Sequence, residues 1–303
     1  MPVCLLPVPA FPSLLAAWLD LLAPVDAITE VLVLTGRTED FPELEAAIEV
    51  SAAPLERSVR PILDCNEHRG AAGALKDVIL ERSIDNDLLL IEGTSMPPAS
   101  LKVVFDDEFQ REAVEGVFAS TTTEEPAGIQ LLKHRAFELV PSVGFFDLKE
   151  QLLPRIIENG KTVLVRSVTN DTIRLTTPMD YLDLISAFGA RTLPGNPIGP
   201  WIHENAQVDP TAILANNVLI ADGVQVGPGA IIDRSVLLKG VQVGAEALIA
   251  RSIIRPNTQV PPRTRLVESE EILLDARGGV RRRPNGRVNK PAYTDTSSQG
   301  ASA

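Results

Sequence analysis

The chain has 303 residues, 45% apolar, 22% charged and 4% aromatic, with 28 basic against 40 acidic side chains and a net charge of −12. That length suits two ordinary domains and buries roughly 75% of the unfolded surface, so no staples are needed to fold. The acidic balance and the scarcity of aromatics exclude a nucleic-acid partner for the body of the chain, and the two cysteines, Cys4 and Cys65, exclude a disulfide framework and a thiolate zinc site.

The first 22 residues are apolar but lack Lys and Arg, hold four prolines in the first twelve positions and include Asp20. These features argue against a signal peptide. No apolar run reaches the ~18 residues of a membrane span, and a reducing cytoplasm is the simplest home. Ser13 is placed to cap a helix over Leu14–Leu22. Continuous apolar strands then start at Glu30 (Glu-Val-Leu-Val-Leu-Thr-Gly), Asp87 (Asp-Leu-Leu-Leu-Ile-Glu-Gly), Val143 (Val-Gly-Phe-Phe-Asp-Leu) and Lys161 (Lys-Thr-Val-Leu-Val-Arg). Alternating with amphipathic helices, they predict an α/β domain over residues 1–190 with a mostly parallel, doubly covered sheet. The Pro- and Gly-rich residues 191–201 read as a linker.

From Ile202 a period of six appears. Hexads open at Ile202, Val208, Leu214, Ile220, Val226 and Ile232, slip by one residue near Leu238, and resume at Val243, with Val260 and Leu266 extending the register. The fifth position is Ala or Val in each clear hexad. Six-residue spacing does not keep one face of an α-helix. It fits a parallel β-helix of triangular section over residues 202–271, about three coils, with leading aliphatics and small fifth residues facing inward and Gly, Asn and Asp turning the corners. Residues 272–303 form an extension. Arg277, Arg281, Arg282, Arg283, Arg287 and Lys290 make it basic, and it has no apolar face, so it is expected to be a disordered, solvated tail.

An α/β domain followed by hexapeptide coils resembles the sugar nucleotidyltransferases, which join a sugar 1-phosphate to a nucleoside triphosphate. Pro2-Val-Cys-Leu-Leu-Pro-Val resembles the family's P-K-P-L-L-P-V segment. Arg69-Gly-Ala-Ala-Gly-Ala-Leu resembles L-G-T-A-G-A-L, the loop against the nucleotide base. The strand from Asp87 through Thr94 resembles the one ending in G-D, Ser142-Val-Gly-Phe-Phe resembles the sugar-contacting N-A-G-I-Y, and Arg174-Leu-Thr-Thr-Pro-Met-Asp-Tyr resembles D-I-G-T-P-E-D-Y. The resemblance implies an incomplete Rossmann-like sheet followed by a left-handed parallel β-helix. It implies a nucleotide, sugar phosphate or nucleotide-sugar as ligand, with Gly70, Ala71, Gly73, Gly93, Thr94, Ser142, Gly144, Arg174, Thr176 and Thr177 as contact candidates. It also implies a homo-oligomer, or a hetero-oligomer with an active paralogue.

The departures bear on catalysis. In-line attack on an α-phosphate needs its crowded charges neutralised. The family's G-G-x-G-T-R-L phosphate loop and its strand would fall before Met1. The lysine of P-K-P falls at Val3, and the two metal-binding aspartates fall at Thr94 and Arg174. A hydroxyl is a weak ligand for a hard cation, and a guanidinium repels one. A cation at Arg174 can still hold a phosphate without catalysis. The expectation is a catalytically impaired ligand-binding or regulatory subunit, with no resident metal or cofactor. Two alternatives stay open. One is an active, Mg²⁺-dependent enzyme with an altered site and a start upstream of Met1. The other is a hexapeptide-repeat assembly module or acyltransferase, for which His203 is the sole histidine in the coils; His68 and His134 lie elsewhere. Three metal-binding histidines for a carbonic-anhydrase-like site are lacking there. Cys65, between Asp64 and Glu67, has acidic neighbours that oppose thiolate formation.

Overall fold

The computed structural model describes residues 2–52, 57–64, 68–105, 107–169 and 173–268, together with the backbone of 273–274 and 280–281. Cys65 and all but those four positions of the expected basic tail lie outside the described residues. In the first part, helices α1 (Leu14–Leu22), α2 (Phe41–Ser51), α3 (Gly70–Arg82), α4 (Leu153–Glu158) and α5 (Pro178–Thr192) accompany strands β1 (Glu30–Thr35), β2 (Ser58–Leu63), β3 (Leu88–Ile91), β4 (Val114–Thr121), β5 (Pro126–Leu132) and β6 (Thr162–Thr169). Ser13 caps α1 as expected, its hydroxyl accepting from the amide of Ala16 at 3.0 Å.

The expected mostly parallel sheet takes a different form. β1 and β2 pair in parallel as a two-stranded sheet, while the four-stranded sheet has the order β3-β5-β4-β6. β5 runs antiparallel to both β3 and β4, and β4 runs parallel to β6. The reason is the hairpin of β4 and β5. It turns at Thr121–Glu125, where Glu124 takes φ 64° and the Thr121 amide donates to the Glu125 carbonyl at 2.8 Å. The expected strand from Val143 is absent. Residues 141–147 form an irregular strap leading into a π-helical turn at Leu148–Leu152. Gly144 sits at φ +87°, and the strap buries Phe146 but leaves Val143 and Phe145 exposed.

The second part is a three-faced parallel solenoid. Its first face holds β7 (Trp201–Ile202), β10 (Leu219–Ile220), β13 (Val236–Leu237) and β16 (Ile253–Ile254). The second holds β8 (Gln207–Val208), β11 (Gln225–Val226), β14 (Gln242–Val243) and β17 (Gln259–Val260). The third holds β9 (Ile213–Ala215), β12 (Ile231–Asp233), β15 (Leu248–Ala250) and β18 (Arg265–Val267). Four strands per face make four coils where about three were expected, because the strands led by Leu237, Ile249 and Ile254, around the two short corners, add to the hexads read from the sequence. The leaders Ile220, Val226, Ile232, Val243, Ile249 and Ile254 are buried with the small Val218, Val224, Ala230 and Ala247. Ile202, at the open first coil, is exposed instead. The register slip falls earlier than expected. β12 to β13 is a five-residue step, repeated from β15 to β16, while the others are six. At those short corners Arg234 and Arg251 take positive φ, and the buried Ser235 hydroxyl accepts from the amide of Ser252 at 3.1 Å.

Between coils, the amide of Asp209 donates to Val226, that of Gly227 to Val243 and that of Gly244 to Val260. The next position up this column is Pro261, which has no N–H to donate. The two parts share one core. α5 supplies Tyr181, Leu182, Leu184, Ile185 and Phe188 to the same buried cluster as Trp201, Leu219, Val236 and Ile253. The linker is correspondingly short, since α5 runs to Thr192 and β7 begins at Trp201.

Candidate ligand site

The positions that the resemblance assigned to the two metal carboxylates meet in space. Ser95 and Arg174 form an isolated antiparallel bridge, with the Leu175 amide donating to the Thr94 carbonyl and that of Met96 to Ile173, both at 2.8 Å. Thr94 and Arg174 therefore sit side by side although 80 residues separate them in the chain. The Arg174 guanidinium lies on Glu92 (Nη2 to Oε2, 2.6 Å), and the other oxygen of that carboxylate accepts from Lys149 Nζ at 2.9 Å. Two cations thus flank one carboxylate, all three partly exposed. Glu92 is held by β3, its amide donating to Gly128 at 2.8 Å. Lys149 is held by Asp147, whose carboxylate caps the π-helical turn by accepting from the amides of Lys149 and Glu150. Gly93 is exposed, and a Cβ there would lie 3.7 Å from Cys4 Cβ, so the Val3 segment runs alongside. Val3 itself is buried in the core.

Gly70, Ala71 and Gly73 come together with Ser142 and Gly144, but the loop is closed by its own chain. The amides of Ala72 and Gly73, in the first turn of α3, donate to the Phe146 carbonyl at 3.1 and 3.2 Å, and Phe146 returns its amide to Arg69 at 2.7 Å. Gly70 has φ +69°, and a Cβ there would lie 2.7 Å from the Phe146 oxygen, so the contact requires glycine. The buried Arg69 locks the strap. It pairs with Asp77 at 2.9 Å and donates to the carbonyls of Gly144 at 2.6 Å and Pro141 at 3.1 Å. Ala71, Ser142 and Gly144 remain exposed on the rim.

Thr176 and Thr177 are committed elsewhere, to a capping box at the start of α5. The Asp180 carboxylate accepts from both threonine amides and the Thr176 hydroxyl, while Thr177 Oγ1 accepts from the Asp180 amide. Burial pushes the Asp180 carboxyl up, but the hydrogen bonds from Thr176 and Thr177 outweigh it and hold the group below its ordinary range.

A magnesium ion does not fit these residues. Among the described residues around Thr94 and Arg174 the side-chain oxygen donors are one hydroxyl and one carboxylate, and the carboxylate is already bridged by two cations. Among the described residues no group of three His, Cys, Asp or Glu side chains is placed to hold a metal ion. Sequence reasoning missed Lys149 and the role of Glu92, because an ion pair between residues 57 apart leaves no local signal. His203 lies at the first coil, its Nδ1 accepting from the Asn205 amide at 3.1 Å and 3.6 Å from Asp222. Asp222 is held low by Lys239 and by Asn205.

The arrangement is that of a mixed α/β domain joined to a parallel β-helix. Residues 199–276, the β-helix region, match the family model described as the GMPPB C-terminal domain. That match supports the resemblance to sugar nucleotidyltransferases, and the strand pattern fits their β-helix region. No curated protein matches the chain. Among the described residues no helix is long and apolar enough to cross a membrane.

Proposed function

We propose that the chain is a sugar-nucleotidyltransferase-like protein of nucleotide-sugar metabolism that holds a phosphorylated ligand without transferring it. The observation that carries this reading is the Arg174–Glu92–Lys149 cluster beside Thr94. Arg174 and Lys149 share one carboxylate, and each carries more N–H donors than that carboxylate takes. Guanidinium and ammonium donors make strong, short bonds to phosphate oxygens. Yet the cluster offers no carboxylate pair to bring a divalent cation between the attacking and leaving groups, and such charge stabilisation commonly supplies ~10²–10³ in rate for each group. The ligand class is a nucleotide, a sugar phosphate or a nucleotide-sugar.

Two measurements test this. Pyrophosphate release, assayed with nucleoside triphosphates and sugar 1-phosphates in the presence of Mg²⁺, is expected to be absent; steady turnover by pure protein overturns the non-catalytic part. In titration calorimetry the wild type is expected to bind a sugar phosphate or nucleotide, Arg174→Ala about tenfold or more weakly, and Glu92→Gln more tightly because it frees both cations. Absence of binding by all three proteins removes the ligand reading. A second role, as a regulatory or partner subunit in a homo- or hetero-oligomer, is supported by the two β-helix faces left exposed.

A further inference from the structure

The proline-rich segment ahead of α1 and the solenoid do not close on each other along their whole contact. Between them lies a cleft of about 660 Å³, within the range of roughly 300–1,000 Å³ typical of small-molecule sites. No residue of the Arg174 cluster lines it. One wall is residues 7–12. Pro7, Pro9 and Pro12 have no N–H, and the amides of Val8 and Phe11 are spent on each other's carbonyls at 3.2 and 3.0 Å. That wall offers carbon and almost no donors. It is also fixed in place. The buried Tyr181 donates its hydroxyl to the Pro7 carbonyl at 2.5 Å, and the Leu14 amide donates to Leu6 at 2.8 Å.

The opposite wall follows the solenoid. Trp201 and Ile202, then Leu219, Leu238 and Pro256, come from successive coils. The cleft therefore spans three coil spacings, about 14 Å at ~4.8 Å each. Two of its lining residues are large aliphatics left in water: Ile202 is 47% exposed, and Val50, at the end of α2, 73%. The polar groups gather at one side. Asp222 accepts from Asn205 Nδ2 at 3.0 Å and pairs with Lys239 Nζ at 2.9 Å, with His203 Nδ1 at 3.6 Å. Both oxygens of that carboxylate are taken. Lys239 is not: its ammonium has three N–H groups and spends one on Asp222, and its side chain is 74% exposed. It is the only lysine or arginine among the described residues that line the cleft. A single ammonium beside a carboxylate suits a monoanion, since the acid repels a second negative charge.

We propose that this cleft binds a small amphiphile, an apolar chain ending in one carboxylate. The chain lies between the proline wall and the solenoid, and the carboxylate meets Lys239. At ~1.5 Å per C–C bond, a saturated chain of roughly ten carbons fits the length of the cleft. Its burial covers Ile202 and Val50, and its charge takes the N–H groups that Asp222 leaves over. This inference is independent of the ligand reading at Arg174, and neither result bears on the other.

Titration calorimetry of the full chain with sodium decanoate, kept below its micellar concentration, tests it. The wild type is expected to bind one molecule with a Kd of about 10⁻⁴ M, in keeping with so few non-hydrogen atoms. Lys239→Glu weakens decanoate about tenfold or more but leaves octan-1-ol, which has the chain and no charge, unchanged. Ile202→Glu sets a carboxylate into the apolar wall at an already exposed position and weakens both. Gln225→Glu, the same added charge on the second face, weakens neither. The proposal is overturned by a wild type that shows no saturable binding, by an Ile202→Glu variant that binds decanoate as well as the wild type, or by a Lys239→Glu variant that keeps its affinity for decanoate. A wild type without binding whose melting temperature falls on Ile202→Glu assigns the cleft to the chain's own residues beyond 268. One that instead dimerises, and stops doing so on Ile202→Glu, assigns it to a second copy.

Discussion

Gly189, in the last turns of α5, faces the indole of Trp201 so closely that a Cβ would lie 2.1 Å from Cζ2. One missing methyl thus sets how near the helix and the first coil approach. Gly189→Ala forces the ring or the helix to move. Overpacking of this kind costs about 1–3 kcal/mol, so urea unfolding is expected to show a lower midpoint with an unchanged slope. Cys4 is a second single-residue case. Burial above all, with Asp40 adding to it against one opposing backbone hydrogen bond, pushes its thiol up to about 11. The native protein is expected to leave Cys4 unalkylated by iodoacetamide at pH 8, with labelling appearing when urea unfolds it; rapid native labelling contradicts that burial. At the α5 cap, Thr177→Ala removes a cap bond worth ~1 kcal/mol. Asp180 adds a pH signature. Its folded value is depressed, so the stability it contributes is present above the unfolded value of ~3.9 and is lost as pH falls through the folded one. The melting-temperature gap between wild type and Asp180→Asn is expected to be open at pH 7 and to narrow progressively as pH falls below about 4. A gap that does not narrow as pH falls below about 4 contradicts this.

The elements differ in how plainly the sequence announces them. The hexads were legible because each solenoid strand repeats one demand, an inward aliphatic with a small side chain near the corner, every six residues. The slip was visible but misplaced. Its cause, the short corners at Arg234 and Arg251, depends on backbone turns that an arginine does not advertise. Ser13 and the strands from Glu30, Asp87 and Lys161 were legible from a cap and from continuous apolar runs. β4 and β5 were not, for two reasons. Both strands are buried along nearly their whole length, which erases the period-two alternation, and each carries an internal glycine that reads as a turn. Gly116 is there because a Cβ would lie 2.6 Å from Leu132 Cδ2, and Gly128 because its φ is +74°. The Val143 segment failed in the opposite sense. Its apolar run suits a strand, but the buried Arg69 takes the carbonyls of Pro141 and Gly144 that a sheet would have used. At the site, string resemblance located Thr94 and Arg174, which the fold brings together. It also offered Thr176 and Thr177, whose polar groups the helix start consumes.

At the scale of the molecule, one buried cluster runs from Val3 through α1 and α5 to Val260 in the last coil. Trp18, tied by its indole N–H to the Ser95 carbonyl at 2.9 Å, and Trp201, between α5 and the first coil, are the chain's two tryptophans and sit in different parts of that cluster. The whole is expected to unfold in a single transition. Ile249→Ala, at a fully buried solenoid leader, should cost about 2–5 kcal/mol and move the fluorescence and calorimetric transitions together. Two resolved steps, with only the later shifted, would mean that the parts unfold separately.

Pro261 sits at the top of the inter-coil column, where the three coils beneath it each present an amide to the next. An unfinished solenoid is a template on which another chain could keep stacking, turn upon turn, into a fibre. Here one rung of that template is blank, because Pro261 has no N–H to donate. Growth along the solenoid axis is discouraged at its source. Extension coil upon coil is therefore the least favoured way for this fold to grow.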